Sequence, residues 1–267
     1  MGGVEGVVVE GLVKRFRWFE LRVPRLEFGR GLNMIVGPNG SGKSTLLKLI
    51  AGFLFPSEGS VKYVLDGGRE LTPYEAYGLV AYVAEDLRLP NMQVWELLKY
   101  FSGGARNALR EVVEVMGLQN YLLKRYYELS SGFRRRVQVA LALLRDAEVL
   151  ILDEPFSNVD VLMIPKLKEI LIREGREGKV VIFTSHLDLN MVPDRLTVLN
   201  QGRVVYHGGP EEIFSGRCLV RVRFRGGGEE VVGIDGLNEL LKRVGAEVVD
   251  IRFKDTSEIL QRMLGGG

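Results

Sequence analysis

Gly37-Pro38-Asn39-Gly40-Ser41-Gly42-Lys43-Ser44-Thr45 is a complete P-loop: Gly37, Gly42, Lys43 and Ser44 occupy the fixed positions of G-x-x-x-x-G-K-[ST]. Before it, Leu32–Val36 reads as a short buried strand. After it, Leu46, Leu47, Leu49 and Ile50 recur at helical spacing. Strand, glycine-rich loop and helix together give the motif its mechanism. The glycines let successive backbone N–H groups curl around phosphate oxygens. A helix beginning near Lys43 adds the positive end of its dipole. Lys43 is expected to reach the β- and γ-phosphates of a nucleotide, and the Ser44 hydroxyl to bind Mg²⁺.

The 267 residues suffice for one large α/β domain plus something small. A net charge of +2 gives no strong field toward nucleic acid, and none is expected as a partner. The single cysteine, Cys218, has no internal disulfide partner and sits in an apolar run that reads as a strand. No run reaches the about 18 apolar residues that cross a bilayer. The opening Met-Gly-Gly-Val-Glu lacks a basic region followed by an apolar one, so no signal peptide is expected.

Strands are expected at Val7–Leu12, Phe19–Val23, Gly59–Leu65, Val80–Val83, Val149–Leu152 and Lys179–Thr184. Leu196–Leu199 and Arg203–Tyr206 read as a hairpin through Asn200-Gln201-Gly202. Helical spacing marks Val94–Phe101, Ala108–Met116, Val137–Leu144 and Pro165–Arg173, and a short helix is expected at Pro210–Phe214. Strands alternating with helices imply a largely parallel sheet. After Gly216 the character changes. Cys218–Phe224, Glu230–Ile234 and Val248–Phe253 read as strands, Leu237–Val244 and Ser257–Leu264 as helices, and Gly226-Gly227-Gly228 as a hairpin turn. Residues 217–267 are therefore expected to form a small α+β appendage to a domain spanning 1–216.

Leu150-Ile151-Leu152-Asp153-Glu154 places an acid pair at the end of a wholly apolar strand. Asp153 there would hold Mg²⁺, directly or through water. Glu154 would face the γ-phosphate, where a carboxylate can orient and polarise an attacking water.

Leu129-Ser130-Ser131-Gly132-Phe133-Arg134-Arg135-Arg136-Val137, shortly before that strand, resembles the signature motif of ATP-binding-cassette (ABC) ATPases, commonly Leu-Ser-Gly-Gly-Gln. Ser157-Asn158-Val159-Asp160 resembles the D-loop, and His186 the switch histidine. The resemblance covers about residues 5–215. It implies an α/β P-loop cassette with an antiparallel β-subdomain and a helical subdomain at about 86–127. It implies ATP and Mg²⁺ as ligands, with ATP hydrolysis as the activity. Ser130, Ser131 and Gly132, at a helix N-terminus, would bind the γ-phosphate of a nucleotide held by a second ATPase subunit, identical or different. His186 would hydrogen-bond the γ-phosphate, and Lys43, Glu154 and His186 form the implied catalytic set. Phe16 stands where the family has an aromatic that stacks on adenine, an interaction of about 1–3 kcal/mol by analogy with other base stacking. Trp18 or Phe19 could fill that place instead, and core packing is the alternative for all three.

The sequence departs from the family pattern at three positions. Glu85 stands where most members have the Q-loop Gln; glutamate can still ligate Mg²⁺, joining Ser44 and Asp153, but adds negative charge. Ser131 replaces the first signature Gly, and Phe133 the Gln. A bulky residue at 133, the arginine run and Glu85 are similar to the drug-, antibiotic- or lipid-exporter subgroup. The run Arg134–Arg136 reads most simply as a solvated or dimer-facing helix surface. The resemblance therefore implies the ATPase subunit of a transporter, an exporter on these departures. It would work at the inner face of the cell membrane through a separate integral permease. The alternative is a soluble ABC ATPase of DNA repair, chromosome structure or translation. The chain has neither the long coiled coil of the repair type nor the second cassette of the translation type.

Overall fold

The computed structural model describes residues 3–103, 106–185 and 191–210 and three later strands. The chain divides into two compact units, Met1–His186 with Pro193–His207 and Leu187–Val192 with Gly208–Gly267. The first carries strands β1 (Val4–Arg15), β2 (Glu20–Gly29), β3 (Gly31–Val36), β4 (Glu58–Leu65), β5 (Glu70–Leu71), β6 (Val80–Val83), β7 (Val149–Leu152), β8 (Val180–Ser185), β9 (Arg195–Asn200) and β10 (Arg203–Gly208). They form one ten-stranded sheet in the order β5-β4-β1-β2-β10-β9-β3-β8-β7-β6. Its helices are α1 (Lys43–Ile50), α2 (Val94–Phe101), α3 (Arg106–Val115), α4 (Ser131–Leu144) and α5 (Ile164–Arg176).

One end of the sheet is parallel. β3 runs beside β8 and β9, β7 beside β8, and β6 beside β7, all in the same direction. β7 and β8 are buried at every position, as strands covered on both faces must be; β7 is apolar throughout, and β8 is apolar up to Phe183 before Thr184 and Ser185. The other end is antiparallel: β1 pairs with β2 and β4, and β4 with β5. These strands alternate buried and exposed residues, and their inward side chains join Leu46, Leu47, Leu49 and Ile50 of α1 in the core. α5 packs on β3 and β8, whereas α4 packs on β6 and against α2 and α3.

The expected strand Phe19–Val23 ends before Pro24, yet β2 runs on to Gly29. The ladder tolerates the proline because Gly11 and Pro24 stand opposite each other without pairing, between the pairs Glu10↔Arg25 and Leu12↔Val23. Pro165 sits in the first turn of α5, where its missing N–H costs nothing. In the second unit β11 (Leu219–Phe224) lies between β12 (Glu229–Gly233) and β13 (Val248–Phe253), antiparallel to both. Apart from Pro210, the helices expected at 210–214, 237–244 and 257–264, and the turn Gly226-Gly227-Gly228, lie outside the described residues.

Candidate functional site: two clefts on one cassette

The P-loop leaves the buried strand β3 and closes on α1. Gly42, the residue before α1, has φ 106°, a left-handed conformation that favours glycine. A Cβ there would also lie 3.0 Å from the ring of Phe19. The Ser41 N–H donates to the Pro38 carbonyl (3.1 Å), and the Ser41 carbonyl accepts from the Gly202 N–H (3.0 Å), so the hairpin β9–β10 braces the loop. Lys43 is buried and curls back, its Nζ donating to the carbonyls of Gly37 (2.8 Å) and Pro38 (3.2 Å). Burial pushes the Lys43 ammonium down in pKa, and Glu154, Asp153 and Glu85 act against that shift.

The loop opens into a cleft of about 420 Å³ lined by Phe19, Asn39, Gly40, Gly42, Lys43, Ser44, Thr45, Glu85 and Glu154. Eight of these were expected from sequence to bind nucleotide or metal or to act on it; the ninth, Phe19, was an alternative to Phe16. Phe16 is half-exposed, its ring 6.2 Å from that of Phe19 and tilted by 32°. Trp18 is almost fully exposed beneath the Arg17 guanidinium.

Asp153 and Glu154 follow β7, whose last residue Leu152 is in register with Phe183 of β8. That register sets Thr184 against the acid pair. The Thr184 hydroxyl donates to Asp153 Oδ1 (2.8 Å) and accepts from the Glu154 N–H (2.8 Å). One buried hydroxyl thus holds the Asp153 carboxylate and the Glu154 backbone. Sequence reading passed over Thr184; its place near the end of a strand parallel to β7 was the signal. Glu154 has φ 53°, a left-handed conformation unusual for a residue with a side chain. His186, which follows β8, lies outside the described residues.

The signature segment faces elsewhere. Ser130 caps α4, its Oγ accepting from the Phe133 N–H (3.4 Å). Ser131 lines a second cleft of about 370 Å³ with Glu85, Arg134, Gln138, Ser157 and Asn158. Gly132 is required by close approach: a Cβ would stand 2.5 Å from the Asn158 carbonyl. Ser131 thus lines a cleft that Lys43 and Ser44 do not, and Glu85 lines both. Phe133 stacks on Tyr121 with ring centroids 3.8 Å apart, and Arg136 lies over its ring while pairing with Asp160 (2.6 Å).

The reading of Arg134–Arg136 as a solvated or dimer-facing surface needs correction at two of the three residues, while Arg134 lines the second cleft. Arg135 is 5% exposed, and the Arg136 side chain 11%. Successive helix residues are about 100° apart, so a run of three must turn part of itself inward once one face of α4 packs on β6. Charge alone did not show which face that would be.

A family profile described as "ABC transporter" matches residues 26–157. The chain is 32% identical to the molybdate/tungstate import ATP-binding protein WtpC of Thermococcus kodakarensis, over 95% of this chain and 79% of that protein. It is 34% identical to the molybdate/tungstate import ATP-binding protein WtpC of Archaeoglobus fulgidus, over 76% of this chain and 88% of the relative. A solved structure of the ATP-binding subunit of an ABC transporter superposes with a TM-score of 0.71 at 20% identity, covering 97% of this chain and 99% of that one. That likeness concerns the fold, which is the P-loop cassette with a mixed sheet. With a P-loop cleft whose acids, lysine and hydroxyl converge, and with relatives similar along most of its length, the chain belongs to the ATP-hydrolysing, ATP-binding proteins of ABC transporters.

Proposed function

We propose that this chain drives a separate integral membrane permease by binding ATP at the P-loop cleft and hydrolysing it in a two-subunit sandwich. The observation that carries the reading is the separation of the two clefts. Lys43, Ser44, Glu85 and Glu154 line one and Ser131 lines the other. A phosphate held by Lys43 would need the signature of a second ATPase subunit to enclose it. In the proposed site Lys43 neutralises phosphate charge, Glu154 orients the attacking water and accepts its proton, and His186 fixes the γ-phosphate. Phe16 or Phe19 supports the base. The donor set Asp153, Ser44 and Glu85 is all oxygen, which suits Mg²⁺. No group of three His, Cys, Asp or Glu side chains that could hold a metal occurs among the described residues, so Mg²⁺ would draw its other ligands from Ser44, the nucleotide and water. That ion would supply charge neutralisation at the phosphates.

No described helix is long and apolar enough to cross a membrane. Attachment through the permease, at the inner face of the membrane, follows from the transporter reading. The assignment of 1–216 to the cassette, with its helical part at about 86–127, and of 217–267 to an appendage belongs to the same proposal. For direction, import is the better-supported reading, because both relatives above are import ATPases. The exporter expectation rests on Glu85, Phe133 and the arginine run that follows it.

Light scattering of purified Glu154→Gln protein with and without Mg-ATP tests the sandwich. A dimer that forms with ATP and vanishes in the added variant Ser131→Arg supports it. A protein that binds ATP and stays monomeric points to a different ATPase as the second subunit. Direction is read from the movement of substrate in vesicles carrying the permease with ATP on the cassette side.

A further inference from the structure

Arg135 and Gln138 stand one turn apart on α4, 5% and 6% exposed. The Arg135 guanidinium donates through Nη1 to the Ala84 carbonyl (2.8 Å) and to Gln138 Oε1 (2.9 Å), and through Nη2 to the Asp153 carbonyl. Gln138 Nε2 donates to the Leu87 carbonyl (2.8 Å) and to the Tyr126 hydroxyl (2.7 Å). Two side chains from one helix face therefore hold both ends of the segment 84–87, which contains Glu85. One of them also holds the backbone of Asp153, the residue whose carboxylate Thr184 orients.

A buried guanidinium is a costly way to fill space. An apolar residue of similar volume would pack as well without the desolvation penalty. What a guanidinium adds is a rigid planar fork that fixes two acceptors relative to each other. Here the acceptors are carbonyls 69 positions apart in the sequence, at the ends of neighbouring parallel strands β6 and β7. Lysine has one nitrogen and no fork, and methionine has no donor.

We propose that Arg135 is a positioning residue: by bridging Ala84 and Asp153 it makes the Glu85 segment and the Asp153 carboxylate move as one piece. The metal-binding geometry at the phosphates then depends on where residues 84–87 sit. Since Glu85 lines both clefts, a shift of that segment alters the P-loop cleft and the signature cleft together. The inference rests on the reading of Asp153 as a metal-binding side chain.

The test compares full-length wild type, Arg135→Met and Arg135→Lys. Fluorescent N-methylanthraniloyl-ATP is titrated in EDTA, and Mn²⁺ binding to the nucleotide complex is followed by electron paramagnetic resonance. The expected result for Arg135→Met is nucleotide affinity in EDTA within twofold of wild type, Mn²⁺ affinity at least tenfold weaker, and kcat reduced at least tenfold with KM for ATP little changed. Arg135→Lys recovers part of the Mn²⁺ affinity, because an ammonium can still reach one carbonyl. Mn²⁺ affinity and kcat within twofold of wild type in Arg135→Met overturn the proposal. So does a loss of EDTA-phase affinity and melting temperature that matches the loss of Mn²⁺ binding, which marks a purely structural role. If Arg135→Met does not fold, Arg135→Lys decides: Mn²⁺ affinity intermediate between wild type and a tenfold loss, at unchanged melting temperature, supports the bridge, and wild-type affinity overturns it. Wild-type protein whose ATP binding ignores Mn²⁺ and Mg²⁺ overturns the metal reading of Asp153 and the bridge's role with it.

Discussion

The P-loop and the signature segment both end in a helix N-terminus, and they differ in where their geometry comes from. The P-loop is nearly self-sufficient. Nine consecutive residues supply the turn, the lysine that folds onto Gly37 and Pro38, and the first turn of α1. The signature segment supplies only a cap and a glycine by itself. Its surroundings come from Asn158, Tyr121, Asp160, Ala84 and Asp153, drawn from segments far apart in the chain. A motif of the first kind works as a local structure; one of the second kind works as an assembly point.

Removing chemistry from the P-loop cleft should give the largest effect. Glu154→Gln is expected to lower ATP turnover by about 10²–10⁴ while ATP binding persists, because only the carboxylate proposed to activate water is lost. Phosphate release and equilibrium nucleotide binding, measured on the same sample, check it. If binding fails with turnover, the carboxylate supports the fold of the loop as well.

On the assembly side, Gly132→Ala drives a methyl group toward the Asn158 carbonyl at 2.5 Å. Overpacking of this kind costs about 1–3 kcal/mol. Urea denaturation is expected to show a lower midpoint, and ATP-dependent dimerisation to weaken, with binding at the P-loop unchanged. An unchanged midpoint would mean that the 157–160 loop yields easily and that the segment is less assembled than its contacts indicate.

Thr184→Val tests how far the P-loop side leans on tertiary partners. It removes one hydroxyl that serves both Asp153 and the Glu154 N–H. A buried acceptor and a buried donor left unpaired cost about 1–3 kcal/mol. The stability loss should come with a higher Mg²⁺ requirement for turnover, which Thr184→Ser restores.

The smallest effect is expected at His207, which ties the antiparallel end of the sheet to β10. Its Nε2 accepts from the Glu27 N–H (3.0 Å), and its Nδ1 pairs with the Thr197 hydroxyl (2.9 Å). Burial, then Arg195, pushes its pKa below the ordinary 6.5, with Glu27 opposing. The folded protein therefore binds this proton less readily than the unfolded chain. Stability from this group is full above about 6.5 and is lost as pH falls toward the lowered folded value. Melting temperatures between pH 7.5 and 5.5 should fall more steeply in wild type than in His207→Gln.

Much of the site is legible in the sequence, for reasons that follow from residue chemistry. The P-loop fixes its own backbone path through its glycines. Leu150–Leu152 is apolar throughout because β7 is covered on both faces, so the acid pair straight after it marks the end of that strand. The strands Val80–Val83 and Val149–Leu152 and the helix Val94–Phe101 have the limits their apolar patterns indicate. Thr184 and Arg135 were not legible. A threonine in a β-branched run reads as strand filler, and an arginine in an arginine run reads as surface.

The sequence by itself determined the phosphate loop, the acid pair and the order of the motifs, since each rests on contacts between near neighbours in the chain. Only the tertiary structure decided that Thr184 holds both the Asp153 carboxylate and the Glu154 backbone, that Phe19 joins the P-loop cleft, and that Ser131 faces a different cleft from Lys43. It also decided that Arg135 turns inward onto Ala84 and Asp153. The physical reason is the same in each case: these outcomes depend on strand register and on which face of a helix packs, and both are set by residues distant in sequence.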